Sequence, residues 1–76
     1  MNKPRRNSLN NLYEKLAELR ELLEEVKAEE EEAFDNIPES LWGTERYEIS
    51  EQAIENMDLA LDSLDEALSY IESAAE

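Results

Sequence analysis

The chain has 76 residues, no Cys and no His, and a formal net charge of −14 from 21 acidic and 7 basic residues. This composition excludes disulfides, zinc sites of the usual kind and catalysis by thiol or imidazole groups. The length allows one domain, residues 1–76, and no apolar run approaches the ~18 residues of a membrane span. We therefore expect a protein that is not an enzyme, binds no cofactor or metal and does not enter a membrane.

The first half of the chain carries a heptad pattern that predicts a helix over residues 7–35. The pattern alternates spacings of three and four residues, through Leu9, Leu12, Leu16, Leu19, Leu23, Val26, Glu30, Ala33 and Ile37. Such spacing is typical of a coiled-coil seam. Asn7 or Ser8 can cap this helix, and Pro4 fits the first turn of a helix that starts earlier. Glu30 is the one charged residue of the seam. It either fixes the register or the oligomeric state of the helices, or it lies near a solvent-exposed end of a bundle.

Residues 36–43 are predicted to form the turn between two helices. Pro38 disfavours helical geometry at the residue before it, and the only Gly of the chain, Gly43, closes the segment. Large apolar side chains concentrate around this turn: Phe34, Ile37, Leu41, Trp42 and Tyr47. They form either a plug over the open end of the hairpin or an exposed binding hot spot, in which Trp42 and Tyr47 are candidate contact residues.

The second half of the chain repeats the heptad pattern and predicts a helix over residues 45–75, capped by Thr44 or Ser50. Its seam runs through Ser50, Ile54, Met57, Leu61, Leu64, Leu68, Ile71 and Ala75. A column of small side chains lies one step before the seam, at Ala53, Ala60, Ala67 and Ala74. Methyl groups at this spacing let a neighbouring helix approach closely.

These elements predict an all-α fold, an antiparallel two-helix hairpin of the coiled-coil type. A short connection favours antiparallel neighbours, and a hairpin this small needs a further source of stability. We expect it from self-association, with a dimer forming a four-helix bundle. The antiparallel arrangement also predicts that the basic residues Lys3, Arg5 and Arg6 clamp the acidic end of the second helix, near Glu72 and Glu76.

Acidic residues on the second helix form the candidate interaction surface. One column repeats every seven residues and a second lies four residues further on; together they comprise Glu51, Glu55, Asp58, Asp62, Asp65 and Glu72. On a hairpin ~42 Å long, the net charge gives one negative charge per ~3 Å, against one per ~1.7 Å in duplex DNA. Two hairpins side by side would match the charge density of duplex DNA. The acidic surface therefore has two interpretations: it mimics DNA, or it only keeps the protein soluble.

The turn also resembles a known kind of protein. The strings FDNIPESL at 34–41 and ERYE at 45–48 are similar to those of a family of small acidic helical-hairpin proteins of bacteriophages, prophages and mobile elements. The family is largely uncharacterised and supplies no catalytic or binding residues. The resemblance implies a setting, the cytoplasm of a bacterial host, and a role in which small phage proteins bind and block host proteins, including defence systems.

Three hypotheses for function follow. The first is a protein-interaction module that binds, and can inhibit, a basic host protein with a nucleic-acid-binding or defence role. The second is a structural or accessory homo-oligomeric bundle without an inhibitory role. The third is a binder of a small ligand or ion at the bundle interface. We expect no direct contact with nucleic acid or membrane under any of the three hypotheses, because the net negative charge repels both.

Overall fold

A computed structural model describes all 76 residues as two long helices joined by a short turn. Helix α1 spans Lys3–Asp35 and helix α2 spans Glu45–Ala74, with a single 3₁₀ turn at Glu39–Leu41 between them. The two helices pack against each other as an antiparallel hairpin, which confirms the predicted fold class. Neither helix contains a stretch apolar enough to cross a membrane.

The N-terminus of α1 lies earlier than the prediction near residue 7. Asn2 caps the helix, its side-chain oxygen accepting a hydrogen bond from the backbone N–H of Arg5 at 2.9 Å, and Pro4 occupies the first turn. Pro4 fits because its missing N–H would have no partner there. The expected cap Ser8 instead donates its hydroxyl to the carbonyl of Pro4 at 3.0 Å. The helix therefore gains a turn before the heptad pattern begins.

The connection between the helices follows the predicted turn residues. Pro38 precedes the 3₁₀ turn, and Gly43 adopts a φ of +83°, a left-handed conformation that glycine reaches without a Cβ penalty. Thr44 then caps α2, accepting a hydrogen bond from the N–H of Tyr47 at 3.3 Å while donating to the carbonyl of Leu41 at 2.7 Å. Glu45 and Glu48 in the first turn of α2 favour the positive end of the helix dipole.

Two ion pairs join the helices of the hairpin at the same heptad spacing. Arg20 contacts Asp65, and Lys27 contacts Asp58, so moving seven residues forward on α1 moves the contact seven residues back on α2. The predicted clamp is wrong, because Lys3, Arg5 and Arg6 form no ion pair with the acidic residues at the end of α2.

The contact between the helices uses the predicted seam of α2 and only half of that of α1. The half-buried residues of α1 are Leu9, Tyr13, Leu16, Ala17, Arg20, Leu23, Lys27, Glu30 and Phe34, and Ile37 just past its end is half-buried too. The other predicted positions are exposed: Leu12, Leu19 and Val26 to 53%, 59% and 52%, and Ala33 as well. Arg20 and Lys27 replace them because their aliphatic stems cover apolar surface while their charged heads meet aspartates on α2.

The hairpin is long and has little core. It measures 60 × 15 × 12 Å with a radius of gyration of 17.4 Å, whereas a compact chain of this length would have about 11 Å. Only Leu61 and Leu68 of α2 are buried, and no residue of α1 is. The remaining apolar seam residues are half-buried or exposed, so the hairpin leaves apolar side chains in contact with solvent along its length.

Candidate interaction surface

The six acidic residues of the candidate surface all lie exposed on α2, outside its apolar seam. The column of Asp58 and Asp65 borders the seam, and the column of Glu55 and Asp62 lies further from α1. This segregation follows from the sequence, because every acidic residue of α2 falls in three neighbouring heptad positions, those of Asp58, Asp62 and Glu66. Neighbouring columns make one continuous surface on a helix. The sequence pattern and the structure thus agree on where the negative charge lies.

Two members of this surface already have partners within the hairpin. Asp65 accepts hydrogen bonds from Nε of Arg20 at 2.6 Å and from Nη2 at 3.2 Å, a bidentate pair. Asp58 forms an ion pair with Lys27. Each base also contacts an acid one turn on along α1, Arg20 with Glu24 and Lys27 with Glu31. The predicted stripe of free carboxylates is therefore interrupted at its centre by two salt-bridged aspartates.

The ion pairs change the protonation chemistry of the two bases. The hydrogen bonds that Arg20 donates, chiefly to Asp65 and next to Glu24, raise the pKa of Arg20 above its ordinary value. The hydrogen bonds that Lys27 donates, chiefly to Asp58 and next to Glu31, raise the pKa of Lys27. Both bases stay charged at any physiological pH, so the two pairs act as permanent bridges rather than as switches.

Of the six residues of the candidate surface, four form no ion pair within the hairpin: Glu51, Glu55, Asp62 and Glu72. Glu48, Glu51 and Glu55 also line a shallow polar groove at the start of α2, together with Gln52. The net charge of −14 is spread over a length of 60 Å, which gives about one charge per 4 Å, less than half the density of duplex DNA. The charge density is lower than the predicted one because the hairpin is longer.

The aromatic residues of the turn form a cluster that is partly exposed. The rings of Phe34 and Tyr47 lie 4.7 Å apart between their centroids, and Trp42 lies 6.3 Å from Tyr47. Phe34 and Tyr47 are half-buried, while Trp42 is 55% exposed. The indole N–H of Trp42 donates to the carbonyl of Ile37 at 3.1 Å. The cluster therefore combines the two predicted roles: two rings cover the end of the hairpin, and one presents a face to solvent.

The structure shows one feature that sequence reasoning missed, an open groove of about 730 Å³ beside the turn. It runs between Ala33 at the end of α1 and Ala53 of α2, with Ile37, Leu41 and Ile49 supplying apolar walls. Glu30, whose carboxylate accepts a hydrogen bond from Ser50 at 2.5 Å, lies at its inner end. A signal was present in the sequence, since the heptad columns of Val26 and Ala60 continue to Ala33 and Ala53.

No group of three acidic side chains is arranged to hold a metal ion. No protein-family model, no curated protein and no solved structure matches the chain. The resemblance of the turn to small phage proteins therefore stays a prediction.

Proposed function

We propose that this protein is a non-enzymatic interaction module that binds a basic partner protein through its acidic outer surface. The supporting observation is the separation of charge on α2: its acidic residues share three neighbouring heptad positions and are all exposed. Complementary charge accelerates and orients protein association. A basic surface, such as the nucleic-acid-binding groove of a host protein, has the charge that this surface would complement.

The setting of the proposal comes from the resemblance of the turn. On the basis of this resemblance, we propose that the protein is encoded by a phage or mobile element and acts in the cytoplasm of a bacterial host. Its proposed target is a host defence protein. Mimicry of DNA requires a higher charge density than one hairpin carries, because one negative charge per ~4 Å is less than half that of a duplex. Mimicry of DNA would therefore need two hairpins side by side. One hairpin can still block a basic surface, because this needs only complementary charge.

The test compares two sets of isosteric changes. In the first variant the unpaired carboxylates of α2 become amides, through Glu51→Gln, Glu55→Gln, Asp62→Asn and Glu72→Gln. The control variant carries the same change in net charge on the outer side of α1, through Glu14→Gln, Glu18→Gln, Glu21→Gln and Glu25→Gln. Each protein, with the unmodified chain alongside, is immobilised and exposed to bacterial lysate at low salt.

A stoichiometric basic protein should be retained by the unmodified chain and the control variant and lost with the α2 variant. It should also elute at about 0.5 M salt, since exposed charge pairs are screened at that ionic strength. Equal retention by all three proteins, or retention that survives the salt, would contradict the proposal. The structural or accessory bundle would then be the better description.

A second candidate function rests on the groove beside the turn. A cleft of about 730 Å³ with apolar walls and the charged residues Glu30 and Arg46 is of the size that small ligands occupy. Calorimetric titration with nucleotides and with divalent ions tests this candidate. Saturable heat that Arg46→Ala abolishes would support a ligand site, and the absence of heat for these probes would argue against it.

A further inference from the structure

One face of the hairpin is apolar and carries no acidic residue on α2. Four neighbouring heptad positions of α2, those of Ala60, Leu61, Ser63 and Leu64, contain no Asp or Glu anywhere along the helix. This absence is notable in a chain with 21 acidic residues. Repulsion between protein surfaces of like charge is strongest where acids are dense, so a face free of them is suited to contact with another acidic molecule.

The exposed apolar column of α1 lies on the same face. The groove beside the turn is lined by Ala33, which continues the column of Leu12, Leu19 and Val26, and by Ala53, which continues the column of Ala60. Both columns therefore lie on one side of the hairpin, here called the open face. The ion pairs of Arg20 and Lys27 close the opposite side. The open face joins a ridge of large side chains on α1 to a strip of Ala on α2.

The open face is large enough for a stable protein contact. The hairpin is 60 Å long and 15 Å wide, so one side presents up to about 900 Å², against the ~800 Å² per partner of a standard interface. With only two residues buried in the isolated hairpin, the contact would supply most of the core. Exposed apolar patches of this extent mark interaction sites in proteins of this kind.

The edge of the open face has a charge pattern that is complementary to itself. Lys15 and Glu29 lie seven residues before and after Leu22, in one heptad column of α1. When a second α1 packs antiparallel with Leu22 facing Leu22, each Lys15 lies level with Glu29 of the other copy. Within one helix the two side chains are ~21 Å apart and cannot meet. In a parallel copy the column of Lys15 would face α2 of the other copy, at the column of Ser63 and Tyr70, which contains no acidic residue to pair with it.

We propose that the open face binds a second copy of this chain, with the two turns at opposite ends and Leu22 on the two-fold axis. The same rotation brings Leu12 to within one residue of the level of Ala33 and Leu19 to within one residue of the level of Val26, and it sets the Ala column of α2 against its copy. Large side chains thus meet large or small ones along α1, while α2 approaches its copy closely through Ala. The acidic run 29–32 of each copy lies level with residues 12–15 of the other copy, so the two acidic runs stay apart.

The first experiment tests the face. Leu19 and Leu59 are 59% and 63% exposed in the hairpin, but Leu59 lies on the outer side of α2. Sedimentation equilibrium should give twice the chain mass of 8.8 kDa for the unmodified protein and for Leu59→Gln. Leu19→Gln should raise the dissociation constant at least a hundredfold, because the interface loses two apolar contacts. A monomer at about 50 μM, or equal weakening by both variants, would overturn the proposal.

The second experiment tests the orientation. The chain has no Cys, so Ser40→Cys carries a spin label at the turn without background. Ser40 lies about 25 Å from the level of Leu22, which predicts a distance of about 50 Å between labels on opposite ends. Two turns at the same end would give less than about 25 Å. The short distance would overturn the antiparallel arrangement even if the dimer formed, and this variant leaves the open face unchanged.

The third experiment tests the charge pattern. Lys15→Glu and Glu29→Lys should each weaken the dimer about tenfold, because each replaces two attractions by two repulsions. The double variant restores both pairs with reversed sign and should recover the original dissociation constant. Additive weakening in the double variant would overturn the pairing. Helical content by circular dichroism should be compared at equal dimer fraction, so that a loss of folding is recognised separately.

Discussion

Arg20 of α1 binds Asp65 of α2 with two hydrogen bonds, of 2.6 Å from Nε and 3.2 Å from Nη2. Lys27 contacts Asp58 one heptad further along. These two bases stand at positions of α1 that face α2, where an apolar residue would be usual. Their pairing with two aspartates at the same seven-residue spacing matches an antiparallel alignment of the two helices. A shift by a whole heptad would still give each base an acid, because Glu51 and Glu72 continue the column of Asp58 and Asp65. The ion pairs therefore disfavour only shifts by part of a heptad.

The first prediction concerns the ion pair between Arg20 and Asp65. Arg20→Asp alone should lower the melting temperature, because it places a third acid beside Asp65 and Glu24. Asp65→Arg alone should also lower it, by setting two bases against each other. The double variant Arg20→Asp with Asp65→Arg should recover most of the loss, since the pair is restored in reverse. Thermal unfolding by circular dichroism measures all four proteins, and a double variant as unstable as the sum of the single ones would show that the contact does not couple the helices.

The second prediction concerns alkaline pH. The hydrogen bonds that Lys27 donates to Asp58 and Glu31 raise its pKa above its ordinary 10.5. The folded state therefore holds this proton more tightly than the unfolded state, so its stabilising effect is complete below pH 10.5 and is lost as the pH rises through the raised pKa. Urea unfolding from about pH 9 to about pH 12 should show this loss.

The control for this experiment is Lys27→Arg, which keeps a positive charge across the whole interval. The ionisation of the three tyrosines affects both proteins equally. The difference in free energy of unfolding between Lys27→Arg and the unmodified chain should therefore grow in favour of Arg above pH 10.5. Parallel curves would mean that the ion pair of Lys27 does not contribute to folding.

The two helices differ in how well their packing could be predicted from sequence. On α2 the apolar period alone identifies the seam, and the two buried residues, Leu61 and Leu68, both belong to it. On α1 the columns of Leu12 and of Tyr13 lie on either side of Leu9 and Leu16, and hydrophobicity favours the first. The structure uses the second, because Asp58 and Asp65 on the other helix give Arg20 and Lys27 partners. A pattern read along one helix does not contain that information.

In the turn and the candidate surface, too, some features could be predicted from the sequence and others could not. Pro38, Gly43 and Thr44 are local signals, and each has its predicted role in the structure. The exposure of the acidic stripe was also predictable from its heptad positions. The ion pairs that occupy two of its members were not, because they depend on the register between the helices.

The third prediction concerns Gly43. Its φ of +83° is unfavourable for any residue with a Cβ, and a methyl group there would meet nothing within 4 Å. Gly43→Ala should therefore destabilise the hairpin by about 1–2 kcal/mol through backbone strain alone. Gly43→Asn should have a smaller effect, because Asn tolerates the left-handed conformation. Urea unfolding separates the two, and equal stability of the Ala variant and the unmodified chain would indicate that the turn has another conformation.

The fourth prediction concerns Trp42. Its indole N–H donates to the carbonyl of Ile37 at 3.1 Å, although the side chain is 55% exposed. Trp42→Phe keeps an aromatic ring near Tyr47 and removes the donor, so we expect a loss of about 0.5–1 kcal/mol in the free energy of unfolding, at the low end for a hydrogen bond that water can replace. A loss above about 3 kcal/mol would instead indicate that Trp42 is a plug essential to the fold.

The fifth prediction concerns the hydrogen bond between two seam positions, Ser50 and Glu30, at 2.5 Å. Both side chains are half-buried, so each interrupts apolar packing and the bond compensates for the loss of water. Replacing both, by Glu30→Leu with Ser50→Val, should raise the free energy of unfolding by about 1–2 kcal/mol, because two apolar side chains then pack at the seam. Glu30→Leu alone should gain less, since the hydroxyl of Ser50 loses its acceptor. A double variant less stable than the unmodified chain would show that the polar pair contributes more than apolar packing, as expected of a contact that fixes register.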